Sequence, residues 1–437
     1  MLKNLFSSFL LIASANFTFA QTNLFNGGTD ITVDLGAIVY VDGHIINEVS
    51  GFVHNKGDIY LTRDWTNREP SGCLDPTTGT VILDGATTQT ITGTQSTTFN
   101  NLDCRQGSKK ILNINTYVGG STGVLMLKSS PFDLNSKIVI VTNAAPAAIT
   151  RTTGYIISES EAPPTGNGYG IVDWKLGNSG AGKNYTYPFG TTTGTYIPFL
   201  FNVKTAGVQN GVGSLSVSTY PTSTTANPNN RPLPTNVSNL IDLSVSLDVS
   251  NICADRYWIT DAFNYNSNPA ADIIFTYRDS EWDNSGGSNN LLLEDSLRAW
   301  RWSGNQWENP PVGIDNPTMN QVTVTGASFF SQWTLLGDEP LPPPPCGEFF
   351  LPNAFSPNAD GRNDLFRPRS ICIRDINFII YNRWGNPVFE STDVAKGWDG
   401  NTPEGEKANP GVYVYVLKAT LNDGSLIDQK GTVTLVK

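Results

Sequence analysis

The sequence predicts an all-β protein in three parts: N-terminal β-solenoid-like repeats, a middle antiparallel β-sandwich and a C-terminal Ig-like β-sandwich. Three observations carry this. Glycine-led, β-branched segments recur with a period near 22 residues in the first third of the chain. Aromatic strand-like segments separated by Ser/Thr/Gly/Asn/Pro loops fill the middle. A run of prolines then sets off the last block. Composition agrees. The 437 residues include 41 Gly and 27 Pro but 3 Met and 2 His, and 15% are charged, against about 25% in an average soluble protein. No long run of helix formers occurs, which excludes an all-α enzyme or a coiled coil. The net charge of −11 argues against nucleic-acid binding, which needs a basic stripe, and against binding to anionic lipid.

Residues 1–20 read as a signal peptide. Lys3 supplies the positive start, Leu5–Ala15 a short apolar stretch, and Thr18-Phe19-Ala20 places small residues where cleavage before Gln21 requires them. Gln21 is not a cysteine, so no lipoprotein anchor is expected there. The apolar stretch falls short of the roughly 20 residues that span a bilayer. No transmembrane segment is expected later in the chain.

Residues 21–160 carry the repeat. Gly36, Gly57, Gly79 and Gly123 each open a segment such as Gly57-Asp58-Ile59-Tyr60-Leu61, with gaps of 21, 22 and twice 22 residues. Short strands at this period are expected to stack as rungs, each burying its apolar face on the next. The same spacing also suits a sandwich of regular hairpins. Residues 165–338 form the expected sandwich. Arg256–Thr260 and Ile273–Tyr277 are strands, and Leu297–Trp302, Ser303-Gly304-Asn305 and Gln306-Trp307 make a hairpin with Trp300 and Trp302 on one face. Residues 339–346 are a stiff Pro-rich linker.

Residues 347–437 read as a small sandwich. Ile376–Tyr381 is a strand, Asn382–Asn386 a turn and Pro387–Ser391 its partner. Gly411–Leu421 is apolar at successive positions, as in a strand buried on both faces. Asn422-Asp423-Gly424 turns it into a hairpin. Five ordered blocks carry a resemblance. They are Leu351-Pro352-Asn353-Ala354-Phe355-Ser356-Pro357-Asn358-Ala359-Asp360-Gly361-Arg362-Asn363-Asp364-Leu365-Phe366, then Tyr381-Asn382-Arg383-Trp384-Gly385, Gly397-Trp398-Asp399-Gly400, Pro410-Gly411-Val412-Tyr413-Val414-Tyr415 and Lys430-Gly431-Thr432-Val433-Thr434-Leu435. Together they resemble the gliding motility-associated C-terminal domain family of Bacteroidota, the type B sorting domain of the type IX secretion system. The resemblance implies a chain that leaves the inner membrane by its signal peptide. Its C-terminal domain then engages the type IX secretion machinery and brings it to the cell surface or medium. Ala359 stands where the family usually has Gly; a backbone needing φ > 0 there would cost about 1 kcal/mol.

Candidate chemistry is sparse. Asn358, Asp360, Asn363 and Asp364 surround a Gly turn with oxygen ligands, a spacing that suits either calcium or an Asx turn capping its own amides. Export allows disulfides, and the near neighbours suggest Cys73–Cys104 and Cys346–Cys372, leaving Cys253 as a buried small hydrophobe. His44 and His54 lack the ligand pattern of a zinc site. Glu159 with Glu161, and Glu294 with Asp295, are paired carboxylates of the kind a glycosidase uses. Trp300, Trp302 and Trp307 suit either a sugar platform or a core. No nucleophile elbow, Walker loop or dinucleotide fingerprint is present. The expected function is therefore a secreted or cell-surface, non-enzymatic adhesion or surface-structure protein, with surface glycan or cell-envelope components as partners and a role in gliding only as the family name implies. The alternative is a polysaccharide-binding module or a polysaccharide-active enzyme.

Overall fold

The computed structural model describes residues 22–159, 169–226, 228–242, 247–283, 290–308, 313–338, 349–359, 362–369, 373–422 and 424–436. The expected signal peptide lies outside them. The chain forms two compact units, residues 1–340 and 341–437.

The first unit begins as a β-solenoid of about six turns. One side is a sheet of six parallel strands, among them Ile38–Val41, Asp58–Leu61, Thr80–Leu83, Asn101–Cys104 and Leu125–Leu127. Partners in this sheet lie 20 to 24 residues apart, from Ile38 opposite Asp58 to Leu125 opposite Ile149. That is the period of the glycines. Gly57 and Gly123 stand where the chain turns closely against the rung below: a Cβ would come within 2.2 Å of the Ala37 carbonyl and 2.1 Å of the Asn100 carbonyl. A second side stacks seven parallel strands, and the remaining strands form a third. Inward side chains form columns along the axis. Ile59, Val81, Leu102 and Leu125 make one, and Leu61, Leu83, Cys104 and Leu127 the next, all at most 2% exposed.

A buried amide ladder sets the register of the second side. Asn26, Asn47 and Asn67 are stacked partners in consecutive rungs. Asn26 donates to Asn47 Oδ1 at 2.8 Å, and Asn47 donates to Asn67 Oδ1 at 3.5 Å and to the Gly51 carbonyl at 2.8 Å. The ladder stops at Gly93, the next partner, where a Cβ would sit 1.8 Å from the Asn67 carbonyl.

The expected Cys73–Cys104 disulfide is not formed; both thiols are free and buried. Cys104 occupies an inward column between Leu83 and Leu127. Cys73 lies on another side of the coil, with its thiol 3.9 Å from the Thr97 hydroxyl. The two side chains serve as core atoms of different walls. Burial pushes the Cys73 thiol up to about 12. Cys253 is free and buried too. Cys346 and Cys372 lie outside the described residues.

The sequence border expected between residues 160 and 165 does not divide the core. Strand Ile171–Trp174 pairs in parallel with the solenoid strand Ile138–Val141 on one edge and antiparallel with Val208–Pro221 on the other. One nine-stranded sheet thus runs out of the solenoid into the sandwich. Opposite it stands a five-stranded antiparallel sheet that includes Phe199–Thr205, Ala270–Thr276 and Gln321–Ala327. Between the sheets pack Trp174, Tyr187, Phe199, Trp258, Phe275 and Trp333, all buried in the same core as the rungs.

Arg256 is fully buried at this junction. It reaches Glu159 at 2.9 Å, Glu281 at 2.7 Å and the Thr219 hydroxyl at 3.0 Å, and Arg278 adds a second cation to Glu281 at 2.8 Å. Burial alone would raise the Glu281 carboxyl, but Arg256 and Arg278 hold it below its ordinary value. Next to this cluster, Asp255 accepts from Asn290 at 3.0 Å. The single proton of the Thr222 hydroxyl serves Asn230 at 2.9 Å or Asp255 at 3.3 Å.

Asn47→Ala removes the donor that the Gly51 carbonyl accepts at 2.8 Å and leaves the Asn26 amide only the Phe52 carbonyl at 3.4 Å, and should cost the passenger about 1–3 kcal/mol in urea unfolding. Burial pushes the Asp255 carboxyl up to about 7 from 3.8. Between those values the folded chain keeps a proton that the unfolded chain releases, so this group lowers stability as pH rises through the window. Asp255→Asn removes the titration. Its stability relative to the parent should therefore climb from pH 4 to 7 and level off above, as read by melting at each pH.

Candidate functional site

In the passenger, the residues singled out for chemistry are mostly engaged in structure. Glu159 is committed to Arg256, and its other oxygen accepts from the Thr192 amide at 2.7 Å. Glu161 lies outside the described residues. Glu294 accepts from the Tyr277 hydroxyl at 3.0 Å, and burial raises its carboxyl. The Trp hairpin forms as expected, with Trp302 opposite Trp307. Both indoles are buried in a second small core with Tyr220 and Tyr257, and Trp300 packs half-buried against it. The Trp307 indole donates to the Asn239 carbonyl at 2.8 Å. These rings are core rather than platform. His44 and His54 each face an aspartate one rung on, Asp64 at 3.2 Å and Asp75 at 3.3 Å. No group of three metal-type side chains occurs among the described residues.

The C-terminal unit gathers most of the motif blocks. Its described residues contain a five-stranded sheet in the order Ala354–Phe355, Leu426–Leu435, Gly411–Leu421, Ile373–Tyr381, Pro387–Ser391. Where an Ig-like sandwich would place a second sheet, the inner face is covered by loops joined through single bridges, Phe350 to Arg369, Phe366 to Trp398 and Asn401 to Lys407. Phe355, Trp398 and Tyr413, from three separate blocks, meet beneath the sheet. Their ring centroids lie 5.2 Å apart for Phe355–Trp398 and 4.7 Å for Trp398–Tyr413.

The remaining motif residues shape turns and pairings. Pro352 and Asn353 lead into the first strand, where the Asn353 carbonyl accepts from Thr434 at 2.9 Å. Asp399 caps the Asn401 amide at 3.0 Å, and Gly400 adopts φ +78° with no room for a Cβ, which would meet Pro357 at 2.8 Å. Gly411 takes φ +154°. Gly431 lies under the Tyr415 ring, where a Cβ would approach the hydroxyl to 2.5 Å, and its neighbour Lys430 points to solvent. Asn382 holds a turn containing Arg383, Trp384 and Gly385 by accepting from the amides of Trp384 at 2.9 Å and Asn386 at 3.0 Å.

The blocks also enclose a groove of about 550 Å³, lined by Asn358, Ala359 and Asp364 on one side and Asp399, Lys407 and Val436 on the other. Asp364 uses one oxygen to accept from the Ala359 amide at 2.7 Å, and Asn363 accepts from Arg369 at 3.4 Å. These bonds are those of a self-capping turn. Asp360 and Gly361 lie outside the described residues.

Residues 349–435 match the family of the CHU_C Type IX secretion signal domain. They are a type IX secretion signal domain. The match bears out the resemblance read from the five blocks, and it supports export to the cell surface or extracellular space through the type IX secretion machinery. No curated protein matches the chain. Among solved structures, the dimeric latent PorU from Porphyromonas gingivalis is similar over 57% of this chain and 25% of its own, at 11% identity and a TM-score of 0.14. The chain thus spans about a quarter of that protein, and the likeness carries no argument. No helix among the described residues is long and apolar enough to cross a membrane.

The Gly that the signal family usually places at 359 now has a structural reason. Ala359 sits at φ +64°, a left-handed conformation that costs a residue with a Cβ about 1–2 kcal/mol. Ala359→Gly should therefore stabilise the C-terminal unit by about 0.5–1 kcal/mol after its extra unfolded-state entropy is subtracted. Ala359→Val should destabilise it. Melting of the full chain, followed through the Trp398 environment, checks both.

Proposed function

We propose that the chain is a non-enzymatic adhesion or surface-structure protein whose passenger works outside the cell after type IX export. The observation that carries this reading is the commitment of a candidate catalytic carboxylate and of the candidate sugar-binding rings to the passenger's frame. Glu159 is locked to Arg256, and Trp302 and Trp307 are buried in a core. A rung stack fused to a sandwich through one sheet is a stiff body suited to a scaffold. Its low charge and Thr/Ser/Asn-rich surface fit extracellular contact. No resident cofactor or calcium ion is required by this reading.

A glycan-binding role is the second reading, and one feature favours it. Tyr40, 57% exposed, and Tyr60 lie in register on the outer solenoid face with ring centroids 6.3 Å apart. Asp42 and Asp84 lie close enough to raise the Tyr40 hydroxyl's affinity for its proton, after burial. Such a pair of rings beside carboxylates suits sugar stacking.

Attachment of cells separates these readings from an enzymatic one. Cells lacking the gene should adhere several-fold less to a polysaccharide-coated surface, with recovery on complementation by the full chain. The purified full chain should release no reducing sugar from the same polysaccharide; release would overturn the proposal. Tyr40→Ala should reduce attachment only if the glycan reading holds.

A further inference from the structure

The outer face of the C-terminal sheet carries more apolar surface than the unit covers. In strand Gly411–Leu421, Tyr413, Tyr415 and Leu417 point into the core and are 7%, 7% and 0% exposed. Val412 and Val414 point the other way and are 57% and 44% exposed. This differs from the sequence expectation of a strand buried on both faces. The register places Val414 beside Tyr381 and Val416 beside Ile379, so the outer column is apolar across two strands. A sheet with one face in water normally alternates apolar and polar residues. Here the sequence is written for two covered faces, and the unit covers one.

Trp384 lies in the turn that follows Tyr381, the neighbour of Val414 in this column, and is 75% exposed. Its turn is rigid. Asn382 accepts from two turn amides, Gly385 adopts φ +77°, and the Arg383 guanidinium lies 5.1 Å over the indole. The ring is therefore held in place before any partner arrives, which lowers the ordering cost of binding. The valines have a polar border, with Thr434 and Thr432 beside Val412 and Val414 on the neighbouring strand and a Lys418–Asp428 pair at 3.7 Å further along the same two strands. Neither Arg383 nor Lys430 forms an ion pair among the described residues. An apolar centre, a Trp–Arg anchor and a polar rim are the anatomy of a protein-binding surface.

We propose that Trp384 and the Val412–Val414 column form the docking surface for a receptor protein of the secretion machinery. The indole enters an apolar pocket of the receptor, and acidic groups at the pocket's rim meet Arg383 and Lys430. This rests on residues 349–435 acting as the export signal. A receptor is the occupant because a signal domain acts by being bound, and because the fold places Phe355, Trp398 and Tyr413 inside while leaving Trp384 out.

The test uses cells producing the full chain, the chain truncated after Leu341, and full chains carrying Trp384→Ala or Val414→Lys. Surface, medium and periplasmic fractions are compared, and each purified full-length variant is melted. Both variants should keep the parent's melting temperature, since neither side chain is in the core, yet lose about tenfold or more of their export. Truncation should abolish export. If the truncated chain is exported as well as the full one, the signal reading fails. If truncation stops export but both variants pass normally, the signal stands and the docking surface is wrong. A photo-crosslinking amino acid at position 384 identifies the occupant. An adduct with a component of the type IX secretion machinery supports the proposal; an adduct with any other envelope protein, with a second copy or with the chain's own passenger overturns it.

Discussion

A β-solenoid rung buries its apolar side chains only when another layer covers it, so the stack that ends near residue 157 has to be closed. Here the closure is made by the sandwich itself. Strand Ile171–Trp174 continues one wall in parallel and offers its other edge to an antiparallel partner. A second wall is met where the Ile156 amide donates to the Pro188 carbonyl and the Gly190 amide to the Ile156 carbonyl, both at 2.9 Å. A third is met where Arg151 lies 3.8 Å over the Tyr196 ring. Two of the three walls are thereby paired onward at that end, and the strand Ile149–Arg151 remains the edge of the third. The sandwich in turn takes its longest sheet from the solenoid, so neither part has a complete core alone.

Burying Arg256 at this junction is costly unless every donor is met. Glu159 comes from the end of the rungs and Glu281 from a turn after the second sheet, which makes the cluster a registration device between segments distant in sequence. An apolar trio of similar volume would pack there with no preference for one alignment. The Asn ladder does the same for the rungs. Its amides bond to the partner one turn away and to fixed turn carbonyls such as that of Gly51, whereas aliphatic columns tolerate slippage. Polar groups in this passenger fix alignment, and apolar columns supply the driving force.

The parts that sequence reasoning could reach are those with a local cause. The glycine period was readable because each turn brings the chain against the carbonyl of the rung below, as at Gly57. The Trp hairpin was readable because its turn residues and alternation are local. The five signal blocks were readable because Gly400, Gly431 and Asn382 each answer a local backbone demand. What escaped has a nonlocal cause. Cys104 shares an inward column with Leu83 and Leu127, and nothing in a cysteine's neighbours distinguishes that from a bridge. Arg256 looks like any surface arginine until its two carboxylates arrive from either side. Strand direction, which changes at Ile171–Trp174 and keeps one core across the expected border, depends on the partner and not on the strand.

The strand Gly411–Leu421 shows how a failed expectation becomes informative. Its successive apolar residues predict burial on both faces, and the inner face obeys. The outer face does not, although Val412, Val414 and Val416 follow the same logic as their buried neighbours. Selection for folding alone gives no reason to keep Val412 and Val414 exposed, since polar replacements would pair equally well in the sheet and lower the hazard of association. A domain whose task is to be recognised does have a reason. The surplus apolar surface then belongs to a complex, and the local rule that reads burial from pattern is correct for that complex rather than for the domain alone.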